Sequence, residues 1–376
     1  MELLFVSKAA KTKSILVNKT AFIYLTAFSK TGGIEQFNKN VLASFKDGGL
    51  DAYSVYDTKC NEQYFNHHSF KGFNGNKLAC LWEMLKQVRQ YQTIIIGHIN
   101  LAPFIFLIRL FYPSPKLVLF AHGIEVWKPH KGKKAWLLKE VQSIFAVSNF
   151  TKSSLVLHNT FVQPDKIQIL PNALDPFFSY PSDFSKPRYL LDRYGIQPSE
   201  KVLLTVARLS SEEQYKGYDQ VILALQELRK KHPTLKYIIA GKADELELAR
   251  VTTLIENAGL AQHVALTGFI NENELIDHYL LADIFVLPSK GEGFGIVLIE
   301  ALACGLQVIA GNKDGSVDAL LNGSLGTLVD PNNSDEIKKA IEFALQDSSV
   351  DPFIVQQKVQ VHFGFPLFKS RISQYL

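Results

Sequence analysis

Short runs of mostly apolar residues recur along this chain, and stretches with helical periodicity separate them. The runs span 21–28, 93–97, 116–123, 143–148, 201–209, 236–243, 264–270, 283–289 and 307–312. Because apolar residues in these runs do not alternate regularly with polar ones, the runs are typical of strands buried on both faces of a parallel sheet. Helical segments such as 219–232 would connect the strands and cover the sheet, which predicts an α/β fold.

The runs fall into two series, which an irregular, proline-containing stretch from 171 to 198 separates. A chain of 376 residues is long enough for two or three domains. We therefore expect two Rossmann-like, doubly wound domains, residues 1–175 and 176–360, that face a central cleft. Ligands of open α/β sheets bind beyond the carboxyl ends of the strands, so the strand-to-helix loops should carry the site.

Composition limits the classes of function. The chain is 47% hydrophobic with a net charge of +4, which is too small to predict nucleic-acid binding but is compatible with phosphorylated ligands. Its three cysteines, Cys60, Cys80 and Cys304, are odd in number and lack the spacing of metal ligands. These features favour a reducing compartment, the cytoplasm, and no structural zinc.

No segment has the length and composition of a transmembrane helix. The most apolar stretch, 99–121, is interrupted by Arg109, Pro113 and Pro115, well short of the ~20 apolar residues that a bilayer requires. It predicts a helix, a turn and a strand. The apolar run 3–6 is too short for the core of a signal peptide, so we do not expect export.

The segment from Glu292 to Glu300 carries the strongest functional signal. It places two carboxylates eight positions apart, around a helix start that Gly293 and Gly295 flank. Glycine lets the backbone approach a ligand, and the free N–H groups at a helix start suit an anion. Glu300 is the only charged residue from 293 to 311, and an unpaired carboxylate in apolar surroundings is costly. We therefore expect a ligand hydroxyl as its partner.

This pattern resembles the motif of two glutamates separated by seven residues in retaining GT-B glycosyltransferases, especially those of family 4. The resemblance implies that Glu292, together with the backbone of Phe294, Gly295 and Ile296, holds the donor sugar. It also implies that Glu300 binds the ribose diol of the nucleotide. The alternative is a surface loop glutamate and a solvated helix glutamate, which the apolar surroundings of Glu300 disfavour.

A second match follows the strand predicted at 201–209. Arg208 and the pair Lys216-Gly217 resemble the family's Arg and Lys-Gly residues. The resemblance implies that both cations stabilise the diphosphate leaving group, which gains negative charge as the glycosidic bond breaks. A surface lysine beside a helix cap at Asp219 is the alternative. Since the chain contains no Asp-x-Asp triplet, we expect no metal, and no cofactor besides the nucleotide-sugar substrate.

Three further residues match the family more weakly. By resemblance, Lys242 and Phe269, at the ends of two predicted strands, line the base pocket, although ordinary turns explain them equally well. Gly32-Gly33 opens an amphipathic helix after the first strand, and the resemblance implies that Gly33 approaches a phosphate. A Gly-Gly pair at such a position is more often only a tight turn.

In the first half, His122 ends a predicted strand and is followed by Gly123 and Glu125. This resembles the histidine-glycine turn that faces the donor sugar in the family, so the resemblance implies a catalytic role for His122 through its ring or its carbonyl. Glu125 would lie nearer the acceptor. A structural histidine at a strand end is the alternative. By resemblance, 171–175 is the interdomain hinge and 361–376 a C-terminal helix that crosses back to the first domain.

The segment from Trp127 to Lys139 gathers five lysines, two tryptophans and two leucines. Such a basic amphipathic element could dock on an anionic bilayer and so reach a lipid-linked acceptor. That contact would make the protein peripheral to the inner face of the membrane. The alternative is a solvated, lysine-rich rim on the acceptor side.

The resemblance implies metal-independent, retaining transfer of a hexose from a nucleoside diphosphate sugar to an oligosaccharide or lipid-linked acceptor in polysaccharide biosynthesis. UDP-glucose and UDP-GlcNAc are the favoured donors on family frequency. A front-face mechanism without a covalent intermediate is plausible, and double displacement stays open. The alternatives are a non-catalytic nucleotide-sugar-binding protein and a GT-B epimerase or phosphorylase.

Overall fold

The computed structural model describes residues 19–347 and 350–375. These residues form two α/β units, one around a seven-stranded sheet and one around a six-stranded sheet. Every strand pairing in both sheets is parallel, as the continuous apolar runs predict. The apolar run 3–6 lies outside the described residues.

The first unit alternates strands with helices. Its strands are β1 (Thr20–Tyr24), β2 (Leu50–Ser54), β3 (Phe70–Gly72), β4 (Thr93–Ile96), β5 (Lys116–Ala121), β6 (Ser143–Ala146) and β7 (Ile167–Ile169). Its helices are α1 (Gly33–Ser44), α2 (Lys77–Gln87), α3 (Ala102–Phe111), α4 (Gly132–Glu140) and α5 (Asn149–His158). The strand order β3-β2-β1-β4-β5-β6-β7 reverses between β1 and β4, which is where ligands of such sheets bind.

The second unit repeats this architecture. Its strands are β8 (Val202–Val206), β9 (Lys236–Ala240), β10 (Val264–Gly268), β11 (Ile284–Leu287), β12 (Gln307–Gly311) and β13 (Thr327–Val329). Its helices are α6 (Arg188–Tyr194), α7 (Tyr218–Leu228), α8 (Glu245–Asn257), α9 (Glu272–Leu281), α10 (Ile296–Ala303), α11 (Ser316–Ala319) and α12 (Ser334–Gln346). The strand order β10-β9-β8-β11-β12-β13 reverses between β8 and β11. The two doubly wound units expected from the sequence are therefore present.

Both faces of the first sheet are covered by apolar side chains. In β4, Ile94, Ile95 and Ile96 are all fully buried. Ile95 belongs to one core, whereas Ile94 and Ile96 belong to the core on the opposite face, because successive side chains of a strand point to opposite faces. Full burial of each such side chain stabilises the fold by about 1.5–3 kcal/mol, so the sheet is fixed in place between its helices.

Two final helices, α13 (Pro352–Phe363) and α14 (Phe365–Tyr375), return the chain to the first unit. Phe368 packs edge to face on Phe37 of α1, with ring centroids 5.4 Å apart. Tyr375 lies 5.2 Å from the ring of Phe145 in β6. The two units are therefore joined by packing of α14 as well as by the connecting segment before α6.

Candidate functional site

The loops at the carboxyl ends of the two sheets meet at Gly293. A Cβ atom on Gly293 would lie 1.8 Å from the carbonyl oxygen of His122 and 3.2 Å from the Cα of Gly123, so only glycine permits this approach. Nearby, a Cβ on Gly33 would lie 4.0 Å from Cγ2 of Ile296, an ordinary contact. The structure therefore brings the β5 and α1 loops of the first unit against the β11–α10 loop of the second.

Lys216 and Glu292 form an ion pair in this cleft. The Nζ of Lys216 lies 2.5 Å from Oε1 of Glu292, and the two side chains are only 15% and 14% exposed. Burial by itself would lower the pKa of Lys216, but the charge of Glu292 outweighs burial, with help from Tyr215, and the pKa is raised. Lys216 thus keeps its positive charge in a poorly solvated place, where it interacts strongly with anions.

Asp314, which the sequence analysis missed, fixes the loop that carries Glu292. Its Oδ2 accepts the backbone N–H of Glu292 at 2.7 Å, and the N–H of Gly315 donates to the carbonyl of Glu292 at 2.8 Å. Asp314 is fully buried. Burial first, and the nearby charge of Glu292 second, raise its pKa to about 6. An aspartate just after a strand was the available signal, but it has no fixed spacing to Glu292.

The start of α10 is open to an anion. Its N-cap is Gly295, which has a positive φ of 86° and makes no side-chain capping hydrogen bond. The first N–H groups of a helix have no partner inside the helix. Those of α10 are therefore uncapped by any side chain at Gly295 and suit a phosphate.

Glu300 lies one turn further along α10, and it has a protein partner. The hydroxyl of Tyr279 donates to its Oε2 at 2.8 Å. Burial raises the pKa of Glu300 to about 7, the bond from Tyr279 opposes the rise, and the charges of Asp175 and Glu272 add to it. Tyr279 is thus a partner of Glu300 that the sequence did not reveal. A ligand hydroxyl as a further partner stays a prediction, since a carboxylate has room for more hydrogen bonds.

Arg208 is not directed at the Lys216–Glu292 pair in this structure. Its guanidinium donates to Glu213, with Nε 3.2 Å from Oε2, and its side chain is 68% exposed. The family resemblance implies that Arg208 and Lys216 bind the same diphosphate. To reach a ligand beside Lys216, Arg208 would have to leave Glu213.

The ring of His122 is held by the first unit. Its Nε2 lies 2.8 Å from the carbonyl oxygen of Gly97, and because a carbonyl only accepts, Nε2 carries the proton. Phe37 packs against the ring edge to face, at 5.0 Å between centroids. What His122 presents to Gly293 is its backbone carbonyl, and the fixed ring serves to hold that carbonyl in position.

Glu125 supports the same turn. Its Oε1 accepts the backbone N–H of His122 at 2.6 Å, and its carbonyl oxygen lies 3.0 Å from Nε2 of His130. This geometry shows Glu125 as the residue that closes the turn after β5. The acceptor-side role assigned to it by resemblance remains a prediction.

Lys242 and Phe269 lie in a separate cavity of about 370 Å³ at the ends of β9 and β10. Phe269 is 55% exposed. The lining residues are Leu209, Ile239, Gly241, Lys242, Ala243, Leu248, Leu266, Thr267, Gly268 and Phe269. Neither Glu292 nor Glu300 lines it, so the cavity could receive only a part of the ligand that extends beyond those carboxylates.

A further set of contacts between the units, which sequence reasoning did not find, involves the start of α5. Ser148 Oγ donates to the carbonyl of Gly293 at 2.6 Å. The backbone N–H of Asn149 donates to Oδ1 of Asp318 in α11 at 2.9 Å. The first bond holds the loop of Gly293 against the first unit, and the second holds α11 there. No local sequence pattern predicts either bond, because the partners lie far apart in the chain.

The segment from Trp127 to Lys139 buries its leucines and leaves its two tryptophans half-buried. Leu137 and Leu138 are fully buried, and Trp136 packs edge to face on Phe106 at 5.1 Å. Trp127 donates to Thr151 at 3.3 Å. The leucines therefore complete a protein core and are not available to a bilayer. Membrane contact through this segment has no support in the structure and stays a prediction.

Residues 19–347 and 350–375 contain no helix that is long and apolar enough to cross a membrane. They also contain no group of three or more His, Cys, Asp and Glu side chains with the arrangement of a metal site.

Two protein-family models match the chain, one in each half. Residues 31–177 match the family described as Glycosyltransferase Family 4. Residues 190–357 match the family described as Glycosyl transferases group 1. The two matches extend over both units and include every site residue named above.

Curated relatives match over a smaller part of the chain. A GDP-mannose-dependent alpha-(1-6)-phosphatidylinositol monomannoside mannosyltransferase of Mycolicibacterium smegmatis is 31% identical over 62% of this chain and 61% of that protein. A D-inositol 3-phosphate glycosyltransferase of Rhodococcus jostii is 34% identical over 52% of this chain and 43% of that protein. The chain thus matches less than two thirds of the length of these relatives.

Solved structures match over nearly the whole chain. HepE of Anabaena, in complex with UDP and glucose, has a TM-score of 0.77 at 20% sequence identity and covers 95% of this chain and 98% of that one. WaaG, a glycosyltransferase involved in lipopolysaccharide biosynthesis, has a TM-score of 0.68 at 17% identity, with coverages of 94% and 98%. The protein therefore has the GT-B fold, and it belongs to the family 4 glycosyltransferases.

Proposed function

We propose that this protein transfers a hexose, with retention of configuration, from a nucleoside diphosphate sugar to a hydroxyl of an oligosaccharide or lipid-linked acceptor. The buried Lys216–Glu292 ion pair beside the uncapped start of α10 carries this proposal. It offers a fixed cation and free N–H groups for a diphosphate. The same pair offers a carboxylate for the hydroxyls of the sugar.

Donor binding would replace the ion pair with two ligand contacts. The diphosphate would take the place of Glu292 on Lys216, and hydroxyls of the hexose would take the place of Lys216 on Glu292. A nucleotide without a sugar supplies only the first contact, which leaves Glu292 poorly solvated and unpaired. The pair therefore favours ligands that carry both groups.

In the transfer step, the bond between the anomeric carbon and the diphosphate oxygen breaks while the acceptor oxygen bonds to the same carbon. Lys216 and the N–H groups of α10 would stabilise the charge that develops on the diphosphate, and Arg208 would join them on leaving Glu213. The departing phosphate oxygen takes the proton of the acceptor hydroxyl. No metal is required for this charge balance. The carbonyl of His122 would contact the transferred sugar.

The nucleoside would lie on the side of Glu300. Its carboxylate would accept hydrogen bonds from the ribose diol while Tyr279 holds the other oxygen. The base would lie toward the cavity of Lys242 and Phe269. UDP-glucose or UDP-GlcNAc is the proposed donor, for synthesis of polysaccharide or another glycan at the cytoplasmic side of the membrane. The names of the curated relatives make GDP-mannose its main competitor.

A panel of nucleotide sugars, with release of nucleoside diphosphate as the readout, tests this proposal. UDP-glucose, UDP-GlcNAc and GDP-mannose are compared for the natural protein and for Lys216→Met. We expect one donor to be hydrolysed, and the rate to fall about 100-fold in the variant, as on removal of one transition-state donor. Lys230→Met is the matched control, because Lys230 pairs with Glu227 at 2.8 Å on the surface of the protein.

Each part of the proposal would be contradicted by a different result. Hydrolysis that survives in Lys216→Met would contradict the assigned role of Lys216. Tight binding of a donor with no release, even when oligosaccharide and lipid-linked acceptors are supplied, would favour the non-catalytic alternative. Product formed by the natural protein is then analysed for its anomeric configuration by NMR, and an inverted product would exclude the retaining mechanism.

A further inference from the structure

Asp57, which follows β2, is a buried carboxylate to which the proposed transfer gives no part. It is 1% exposed and accepts five hydrogen bonds of 2.7–3.2 Å. All the donors are neutral, namely the hydroxyls of Thr26 and Ser54 and the backbone N–H groups of Ala27, Phe28 and Ser29. Burial alone would raise the pKa of Asp57, but these hydrogen bonds, with that from Thr26 first, outweigh burial and the pKa is lowered. The carboxylate therefore stays charged at neutral pH.

The backbone of Asp57 is itself held in place. Its N–H donates to Oγ of Ser54 at 3.1 Å, and its carbonyl oxygen accepts the N–H of Asn74 at 3.3 Å. Ser54 is the last residue of β2, and Asn74 follows the end of β3. The carboxylate is therefore a fixed anchor beyond the carboxyl ends of two neighbouring strands.

The segment that Asp57 anchors is the loop between β1 and α1, residues 25–32, called here the β1–α1 loop. Asp57 holds its first half, and α1 holds its end, where the N–H of Gln36 donates to the carbonyl of Gly32 at 2.9 Å. Between these points, the backbone N–H groups of Lys30, Thr31 and Gly32 have no hydrogen-bond partner within residues 19–347 and 350–375. Consecutive free N–H groups ahead of a helix suit an anion.

The β1–α1 loop faces the cleft between the two units. A Cβ on Gly33, the first residue of α1, would lie 4.0 Å from Cγ2 of Ile296, the first residue of α10. The pKa of Arg208 in the second unit is raised by Glu213 first and, more weakly, by Glu35 in the first turn of α1. The starts of α1 and α10 therefore border one space, to which the proposed function assigns the diphosphate of the donor.

We propose that Asp57 is a positioning residue for glycosyl transfer, which holds the β1–α1 loop so that its free N–H groups face the diphosphate of the donor. This inference rests on the proposed function, because it requires a sugar nucleotide in the cleft. Asp57 does not touch the donor, since its oxygens are occupied by the loop. Lys216 and α10 would act on the diphosphate from the second unit, and the β1–α1 loop would act on it from the first.

Turnover of Asp57→Asn tests this role, because asparagine keeps the size of the side chain but replaces one accepting oxygen with a donor. We expect kcat for hydrolysis of the donor, per folded protein, to fall about tenfold or more through lost positioning. KM should change less than about threefold, since Lys216 and α10 still bind the donor and the charge on the diphosphate grows only as the bond breaks. A merely structural role would lower stability and leave kcat of the folded protein unchanged.

Asp51→Asn is the matched control. Asp51 lies in β2 itself, where it accepts the hydroxyl of Tyr91 at 2.6 Å and pairs with Lys19 at 2.9 Å, toward the amino ends of the strands. Its loss should leave kcat unchanged. Thr26→Val, which removes one donor to Asp57, is a milder test in case Asp57→Asn folds poorly. It should lower kcat in the same direction by less, and the double variant should be no worse than Asp57→Asn.

Hydrogen exchange measured by mass spectrometry gives a readout that needs no turnover. UDP and GDP are the probes, and calorimetry records their binding. In the natural protein, the bound nucleotide should slow exchange of the amides in the β1–α1 loop. In Asp57→Asn the nucleotide should still bind, but the slowing in the loop should be largely lost.

The results separate this inference from the proposed function. If neither UDP nor GDP binds the natural protein, both fail. If a nucleotide binds without slowing exchange in the β1–α1 loop, only the inference fails. Natural kcat in folded Asp57→Asn or in Thr26→Val, or an equal loss of kcat in Asp51→Asn, would also overturn the positioning role and leave the proposed function standing.

Discussion

Glu300 is the residue through which pH should act on the site. Its pKa is raised from 4.5 to about 7, so near neutral pH a substantial fraction of the free protein carries it protonated. The carboxylate accepts hydrogen bonds from the hydroxyls of a ribose more strongly than the protonated acid, in which one oxygen carries a proton to donate. Donor affinity should therefore increase as the pH rises through 7.

Titration calorimetry of the donor at several pH values measures this effect. In Glu300→Gln the affinity should be about tenfold lower at high pH, since two hydrogen bonds to a charged acceptor are replaced, and the step near pH 7 should disappear. An unchanged step in the variant would assign the titration to another group. Asp314, whose pKa is raised to about 6, is the first candidate for that group.

The raised pKa of Glu300 also predicts how the stability of the protein changes with pH. Because the folded-state pKa of Glu300 exceeds the unfolded value of 4.5, the protonated group stabilises the fold below pH 4.5. This contribution is lost as the pH rises through 7. Urea unfolding of Glu300→Gln should accordingly show a smaller decline in the free energy of unfolding over this range than the natural protein shows.

Single residues also show which parts of the site can be predicted from the sequence alone. The apolar run around Glu300 and its spacing from Glu292 identify both carboxylates without a structure. Tyr279 lies 21 positions before Glu300, on a different helix, and no local pattern links the two. Asp314 is hidden for the same reason, since its contact with Glu292 exists only once β12 and β11 lie side by side.

At the scale of elements, the sequence predicts the central strands better than the edge strands. The predicted runs contain β4, β5, β6 and all of β1 except Thr20, and these strands have both faces buried and hence continuous apolar sequences. The missed strands of the first sheet are β2, which contains Asp51, and β3 and β7, which have three residues each. Strands at or near an edge are short and partly polar, so periodicity does not reveal them.

The stretch 99–121 resolves as the helix, turn and strand that its charge and prolines predict, namely α3 and β5. The helix after Gly32-Gly33 also forms, as α1, with Phe37, Val41 and Leu42 buried. What the sequence could not predict is that α4 would bury its leucines. The apolar side of a single amphipathic helix fits a protein core and a bilayer equally well.

At the scale of the whole molecule, the approach of the two units depends on Gly293. In Gly293→Ala the added Cβ would lie 1.8 Å from the carbonyl oxygen of His122, about half of a normal contact distance. We expect the cleft to open, the radius of gyration from small-angle X-ray scattering to increase, and turnover to fall at least about tenfold through lost positioning.

Gly33→Ala is the matched control, since its Cβ would make an ordinary contact of 4.0 Å across the same cleft. That variant should keep the shape of the natural protein. If Gly293→Ala also kept both its shape and its turnover, the contact between His122 and Gly293 would have no part in catalysis.

The central claim is that the Lys216–Glu292 ion pair separates when the donor binds, so that Lys216 contacts the diphosphate and Glu292 contacts the sugar. Calorimetry of the nucleoside diphosphate and of its sugar conjugate, with Lys216→Met, Glu292→Gln and the natural protein, tests it most directly. Lys216→Met should weaken both ligands. Glu292→Gln should bind the nucleoside diphosphate as tightly as the natural protein or more tightly, because Lys216 is released, and should lose its preference for the sugar conjugate. Equal losses for both ligands in Glu292→Gln would contradict the account.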